Sequence, residues 1–316
     1  MPEEGAVMIQ VLEFDRWLRE QEVFTDESEF QNFYSCDETV QKEKNCKNQL
    51  EALEKTEQQC NDFIKAQWID FTTLEGTNGY CDEEAAAVIT EKTADGMRES
   101  HPVTWIGNGN YHYVAHLLTM QIKEPFSLVV FDHHPDMQPS FFAELLSCGS
   151  WVLHALKQNP FLQQVILIGV KEELLQALPE NPDVVPVVMQ GELAACFYQF
   201  ICYGKTVTAI SESFFQDPQH EMSVLGTWIN RQLDGAVYLS VDKDVLCRED
   251  CMTNWDSGSM RLWELLELLE LFLRNHGVIG MDFCGESSES SEPGALENNR
   301  SCNAQILQKL KEEFDV

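Results

Sequence analysis

Apolar residues along most of this chain come in short blocks separated by mixed or polar stretches. Blocks rich in β-branched residues recur at Val103–Ile106, Ser127–Phe131, Val165–Gly169, Val184–Val188, Thr206–Ile210, Val237–Val241 and Val278–Asp282. Each has the length of a strand, and one more strand is expected near Trp68–Thr72. Between the blocks, helical spacing predicts helices at Tyr113–Met120, Phe141–Leu156, Glu172–Ala177, Met222–Gln232 and Met260–Arg274. Strands that alternate with helices build βαβ units and a mainly parallel sheet. The blocks are continuously apolar, as strands buried on both faces are. The predicted fold is therefore a three-layer α/β/α sandwich around a mainly parallel sheet of about eight strands.

The first part of the chain follows a different pattern. From Glu38 to Ala66 it is rich in Glu, Lys, Gln and Asn, with Leu50, Leu53, Cys60, Phe63 and Ile64 on a rough helical period. This predicts a surface helix with one narrow packing stripe, inside a mostly helical N-terminal portion over residues 1–66. Asn78-Gly79 predicts a turn, and Asp82 a cap for a helix over Glu83–Thr90. Gly285–Asn299, rich in Ser, Glu and Asn, reads as an exposed acidic loop before a last helix near Ala304–Phe314. Neither a linker nor a repeat divides the sequence, so one domain over residues 1–316 is expected.

Charge narrows the function. Lys+Arg number 21 against 53 Asp+Glu, a formal charge of −32. That excess repels phosphate backbones, which argues against nucleic acid as a partner. It favours cations and can steer a cationic substrate into an acidic cleft. No run of eighteen apolar residues suggests a membrane span, and residues 1–10 lack the pattern of a signal peptide. The 11 cysteines are odd in number and include no CxxC pair. Free thiols in a reducing compartment fit that pattern, so a cytoplasmic location is expected.

In open parallel sheets, ligands bind beyond the carboxyl ends of the strands. Gly107-Asn108-Gly109-Asn110-Tyr111-His112 follows one block, and Asp132-His133-His134-Pro135-Asp136 another. Asp242-Lys243-Asp244 follows a third, and Asp282-Phe283 closes a fourth. In extended chain, alternate residues share a side, which groups Asp132, His134 and Asp136, and likewise Asp242 with Asp244. His112 adds a second imidazole. So many acids packed without cations would repel and would resist desolvation. Five or six oxygen and nitrogen donors exceed the needs of one tetrahedral zinc and suit two metals. Carboxylate with imidazole favours Mn²⁺ among divalent ions, and other divalent metals remain compatible. A lone Asp-x-Asp is more often a solvated loop or a cap; the ordered combination at strand ends carries the metal reading.

The order His, Asp-x-His-x-Asp, Asp-x-Asp resembles the ureohydrolase (arginase and agmatinase) superfamily. Gly109–His112 is similar to its Gly-Gly-Asp-His segment, Phe131–Asp136 to its Asp-Ala-His-Ala-Asp segment, and Ser240–Asp244 to its Ser-Phe-Asp-Val-Asp segment. The resemblance implies an arginase-like fold with two Mn²⁺. His112, Asp132, Asp136 and Asp242 would hold one metal; His134, Asp132, Asp242 and Asp244 the other. A bridging water, deprotonated near neutral pH, would attack a guanidinium carbon. Asp136 would pass a proton to the departing amine, and Asp282 would pair with the guanidinium.

The departures lie at the substrate end. Tyr111 replaces the family's acid, and Ser147-Cys148-Gly149-Ser150-Trp151 stands where arginases of free arginine carry Ser-Gly-Asn-x-His. His154 is out of register for the shuttle histidine, and Thr253–Gly258 replaces a Thr-rich loop. Trp151, His154 and Asp256 are the remaining candidates to meet substrate. These changes argue against free arginine and toward another small cationic guanidino compound or an arginine-containing peptide. Self-association into a homo-oligomer is a further expectation of the resemblance. Two rival readings stay open: a mononuclear zinc deacetylase-like hydrolase, and a non-catalytic binding protein on the arginase fold.

Overall fold

The computed structural model describes residues 7–21, 23–24, 64–99, 102–139, 145–189, 195–288 and 290–314. Its strands in chain order are β1 (Val7–Glu13), β2 (Ile64–Asp70), β3 (Tyr80–Cys81), β4 (Val103–Gly107), β5 (Phe126–Phe131), β6 (Leu146–Ser147), β7 (Leu162–Val170), β8 (Val184–Val187), β9 (Phe197–Cys202), β10 (Lys205–Ser211), β11 (Ala236–Asp242) and β12 (Gly277–Cys284). Ten of them form one sheet in the order β2-β1-β4-β12-β11-β5-β7-β10-β9-β8. The neighbours from β2 to β10 pair in parallel. The β10–β9 and β9–β8 pairs are antiparallel and finish one edge. β3 and β6 form a separate two-stranded ribbon.

The helices are α1 (Trp17–Glu20), α2 (Glu83–Thr93), α3 (Val114–Thr119), α4 (Trp151–Gln158), α5 (Glu172–Ala177), α6 (Ser213–Gln216), α7 (Met222–Gln232), α8 (Leu262–Asn275) and α9 (Ala295–Phe314). Successive residues of a strand point to opposite faces, so a doubly covered sheet has two cores. On β5, Leu128 and Val130 pack into one core with Ile89 of α2, Leu118 of α3 and Leu156 of α4. Val129 and Phe131 pack into the other with Leu225 of α7, Leu269 of α8 and Ile306 of α9. Each such side chain, fully removed from water, contributes roughly 1.5–3 kcal/mol. Asp82 caps α2 as its position suggests, accepting from the Ala85 amide at 2.8 Å.

Several expectations need correction. The sheet has ten strands rather than about eight, because β1 and β9 are added. β1 also overturns a mostly helical N-terminal portion; most of the predicted helix over 38–66 lies outside the described residues, and its last residues, 64–66, belong to β2. The helix predicted over 141–156 begins only at Trp151, behind β6 and a 3-10 turn over Cys148–Ser150. The stretch 285–299 is not all exposed: Glu286 is fully buried, because its carboxylate meets the ammonium of Lys243, itself fully buried. The last helix starts at Ala295, well before 304.

Candidate metal centre

Four adjacent strands in the middle of the sheet, β4, β12, β11 and β5, carry the chemistry at their carboxyl ends. β4 ends on Gly107, whose φ of +104° suits glycine alone. Asn108 then accepts from the Asn110 amide at 2.8 Å and closes a single 3-10 turn, which sets His112 just ahead of α3. Beyond β5, Asp132 accepts from the His134 amide at 2.6 Å, and Asp244 accepts from the His133 amide at 3.0 Å. At the end of β11, Asp242 accepts from the Asp244 amide at 3.1 Å. The backbone thus orients each carboxylate before any ligand arrives.

Asp136 has the left-handed φ of +46°. A non-glycine residue held there costs about 1–3 kcal/mol. The first turn of α4 fixes it: Trp151 donates from Nε1 to Asp136 Oδ2 at 2.6 Å, and the Val152 amide donates to the Asp136 carbonyl at 3.0 Å.

The six residues singled out by spacing converge. His112 Nδ1 lies 3.1 Å from Asp132 Oδ2, 3.1 Å from Asp136 Oδ2 and 3.6 Å from Asp242 Oδ2. His134 Nδ1 lies 2.9 Å from Asp244 Oδ2 and 3.4 Å from Asp132 Oδ1. Asp132 therefore turns one oxygen toward each imidazole. Two sets of ligand-grade atoms result around the two imidazoles, His112 with Asp132 and Asp136, and His134 with Asp132 and Asp244; a third group, His112 with Asp242 and Cys284, overlaps the first. Asp132, His134, Asp136, Asp242 and Asp244 line a crevice of about 480 Å³, with Gly109, Gln138, Cys148, Gly149 and Trp255 on its walls.

A cation fits these sets on two grounds. His112 is 1% exposed, yet its Nδ1 has no hydrogen-bond partner among the described residues. Three carboxylates stand close to it without hydrogen-bond geometry, as ligands around a common centre do. The electrostatics agree. Burial, together with the charge of Asp132, raises the carboxyl of Asp136 to about 7. Burial likewise raises Asp242, and raises Asp244 well above the ordinary carboxylate range. Burial opposes the charge on His112 and His134 too, but the facing carboxylates outweigh it and lift both. Of the four acids Asp132 alone is lowered, since the close approach of His112 and His134 overcomes its burial. Burial thus opposes the bare negative charge of this cluster, and a divalent cation can offset that charge.

Each imidazole is braced from behind. Ser240 Oγ stands 2.9 Å from His112 Nε2 and donates to Asp282 Oδ1 at 2.7 Å. His134 Nε2 faces Asp256 Oδ1 at 3.0 Å, and Asp256 also takes Lys171 at 3.1 Å. His133, 2% exposed, faces Asp256 at 3.5 Å from its Nε2.

The substrate-end candidates fare differently. Asp282 is fully buried within β12 and serves Ser240, so it has no surface for a substrate. Trp151 is fully buried and holds Asp136. His154 sits on α4 beside His116, with ring centroids 6.0 Å apart, and is not among the residues lining the crevice. Asp256 is half-exposed and is engaged by His134 and Lys171. The sequence reading passed over Ser240 and Cys284. Cys284, buried and two residues beyond Asp282, pairs in register with Asp242; its signal was the period of two that had already grouped the aspartates.

No model of a known protein family matches the sequence. The chain is 32% identical over 209 residues to an uncharacterized protein of Thermotoga maritima, a match spanning 66% of this chain and 67% of that protein. Proclavaminate amidino hydrolase from Streptomyces clavuligerus superposes with a TM-score of 0.62 at 13% identity, covering 100% of this chain and 94% of that one. Agmatine ureohydrolase of Thermoplasma volcanium gives 0.62 at 14%, covering 99% and 91%. Arginase from Bacillus caldovelox gives 0.59 at 14%, covering 99% of both chains. Identities this low establish the fold.

Proposed function

We propose that this protein, which belongs to the same family as the Thermotoga maritima protein and has the fold of the arginase and agmatinase hydrolases, is a binuclear metal-dependent hydrolase of a linear C–N bond in a guanidino or amidino compound. The observation that carries the reading is the posture of Asp132, with one oxygen 3.1 Å from His112 and the other 3.4 Å from His134. A carboxylate so placed can bridge two ions. A mononuclear zinc site would leave one of the two sets unneutralised. Mn²⁺ suits the oxygen and imidazole donors. Divalent cations there supply an activated water and neutralise developing negative charge.

The chain's own groups do the rest. The acidic crevice favours a planar cation over an anion. Asp136, on the crevice wall, is the group placed to hand a proton to the departing amine. Trp151 keeps that carboxylate aimed, and Ser240 and Asp256 keep the two imidazoles in line. Trp151 stands where the arginase resemblance would place a shuttle histidine, and it is fully buried against Asp136, which supports a substrate other than free arginine.

The test combines metal analysis with a urea-release screen across agmatine, guanidinobutyrate, guanidine, arginine and arginine-containing peptides. About two metal ions per chain and urea from one compound are expected, with Asp132→Asn losing both metal and activity. An Asp132→Asn protein that keeps its full metal content and turnover would defeat the proposal.

A further inference from the structure

We propose that Cys284 is a thiolate metal ligand, and that the position on the His112 side of the centre takes a thiophilic ion, Zn²⁺, Co²⁺ or Fe²⁺, in preference to Mn²⁺. This deepens the binuclear reading above and rests on it. Four observations lead there. The register of the sheet pairs Cys284 with Asp242 on one side and with Gly107 on the other. Its sulfur therefore lies at the level of the carboxylates, one step above Asp282. Ligand-grade atoms of His112, Asp242 and Cys284 all lie within 4.8 Å of one another, with all three residues buried. His112 Nδ1 is the unpartnered buried nitrogen that already points to an ion. Finally, Gly285 has φ +94°, and a Cβ there would stand 2.5 Å from Asp242 Oδ1. The chain thus turns sharply past Cys284 and leaves Asp242 clear.

The chemistry sorts the metals. Thiolate is a soft donor that selects Zn²⁺ and its neighbours, while carboxylate and water suit Mn²⁺. The second set, His134 with Asp132 and Asp244, contains no sulfur, so the two positions differ in kind. Binding forms one metal–sulfur bond, of about 2.3 Å for zinc, and releases the thiol proton to solvent. The bland alternative is that the thiol only donates a hydrogen bond to Asp242.

Cobalt distinguishes these. The metal-free full-length protein is titrated with Co²⁺ while bound cobalt is counted and the absorbance recorded. A thiolate ligand adds an intense near-ultraviolet sulfur-to-cobalt charge-transfer band. That band is expected in the native protein and absent from Cys284→Ser, while Cys148→Ser, which alters the cysteine on the crevice wall, keeps it. Zn²⁺ affinity in Cys284→Ser is expected to fall by at least the ~10–100-fold that loss of an outer-shell partner costs, with Mn²⁺ affinity changing less. Cadmium NMR of the native protein needs no variant, and a sulfur-shifted resonance is expected. Cobalt bound without the charge-transfer band, or a band that survives Cys284→Ser, overturns the thiolate ligand and leaves the binuclear reading standing. No cobalt bound at all overturns both.

Discussion

Replacing Ser240 by Ala removes one oxygen that lies beneath the metal centre and touches no substrate. The hydroxyl stands 2.9 Å from His112 Nε2 and 2.7 Å from Asp282 Oδ1, and all three residues are at most 1% exposed. When His112 Nδ1 serves a cation, the ring proton sits on Nε2 and needs an acceptor. Ser240 provides it and passes its own proton to Asp282, so the chain fixes both tautomer and ring angle. Ser240→Ala leaves a buried donor and a buried carboxylate oxygen unmatched, each worth about 1–3 kcal/mol. Part of that loss falls on folding and part on the metal. Affinity at the His112 position is expected to drop about 10–100-fold, or ~1.4–2.7 kcal/mol. Competition titration against a chromogenic chelator measures it, and circular dichroism checks the fold. Metal affinity within twofold of the native value, in a folded Ser240→Ala protein, would refute the role given to this chain of bonds.

Gly285→Ala forces a side chain into a left-handed backbone position, 2.5 Å from Asp242 Oδ1 and 2.8 Å from the Lys243 amide; metal content should fall more steeply than thermal stability, and a variant with native metal content would contradict that crowding. Lys243→Met strands the fully buried Glu286 without its cation; a loss of about 3–5 kcal/mol in denaturant unfolding is expected, and less than 1 kcal/mol would show that Gln21 and Asn303 suffice to hold the carboxylate. Asp15 is raised from 3.8 to about 6, chiefly by burial. Its folded form holds the proton more tightly, so its contribution to stability is full below pH 3.8 and lost as pH rises through 6. Asp15→Asn should therefore flatten the stability profile between those limits, and an unchanged slope would reject the assignment. His134 is partly exposed and braced by the half-exposed Asp256, whereas His112 is buried; chelation should remove metal in two phases, with only the faster one accelerated by Asp256→Asn, and a single phase would speak against two unequal positions.

The sequence disclosed the strand ends that deliver His112, Asp132, His134, Asp136, Asp242 and Asp244, because each follows closely on an apolar strand block; the acids meet although Asp136 takes a left-handed φ and Asp244 lies in a 3-10 turn, so the alternation of extended chain does not group them. It did not disclose register between strands. The strand predicted to close at 282 runs on to Cys284, and Ser240 pairs with Asp282 while Asp242 pairs with Cys284. Asp282 thus lies one step below the crevice floor, and the residue level with the carboxylates is a cysteine. β1 escaped notice because Gln10 and Glu13 interrupt its apolar pattern, although the fold buries both. β9 joins the sheet antiparallel through β10, outside the βαβ rhythm of the other strands. The helix expected over 141–156 was misread at its start, because Ser147 and Ser150 bond to one another and close a 3-10 turn there instead.

The acidity of the surface and the acidity of the centre have different causes. The surface excess spreads over the whole chain and needs only water. The centre gathers Asp132, Asp136, Asp242 and Asp244, each no more than 6% exposed. Buried carboxylates require cations, and the chain places a fully buried ammonium in the middle of this very segment, at Lys243. Yet Lys243 opens the 3-10 turn over Lys243–Val245 that follows β11, and its ammonium is engaged elsewhere. Its charge goes to Glu286 and Asn303 on the far side. Four carboxylates therefore remain without a lysine or arginine partner among the described ion pairs, facing two imidazoles. A pair of divalent ions carries the four positive charges that balance them. One divalent ion would balance half, and would leave negative charge that burial opposes on Asp136, Asp242 and Asp244. Charge balance and the posture of Asp132 thus favour the same stoichiometry on separate grounds.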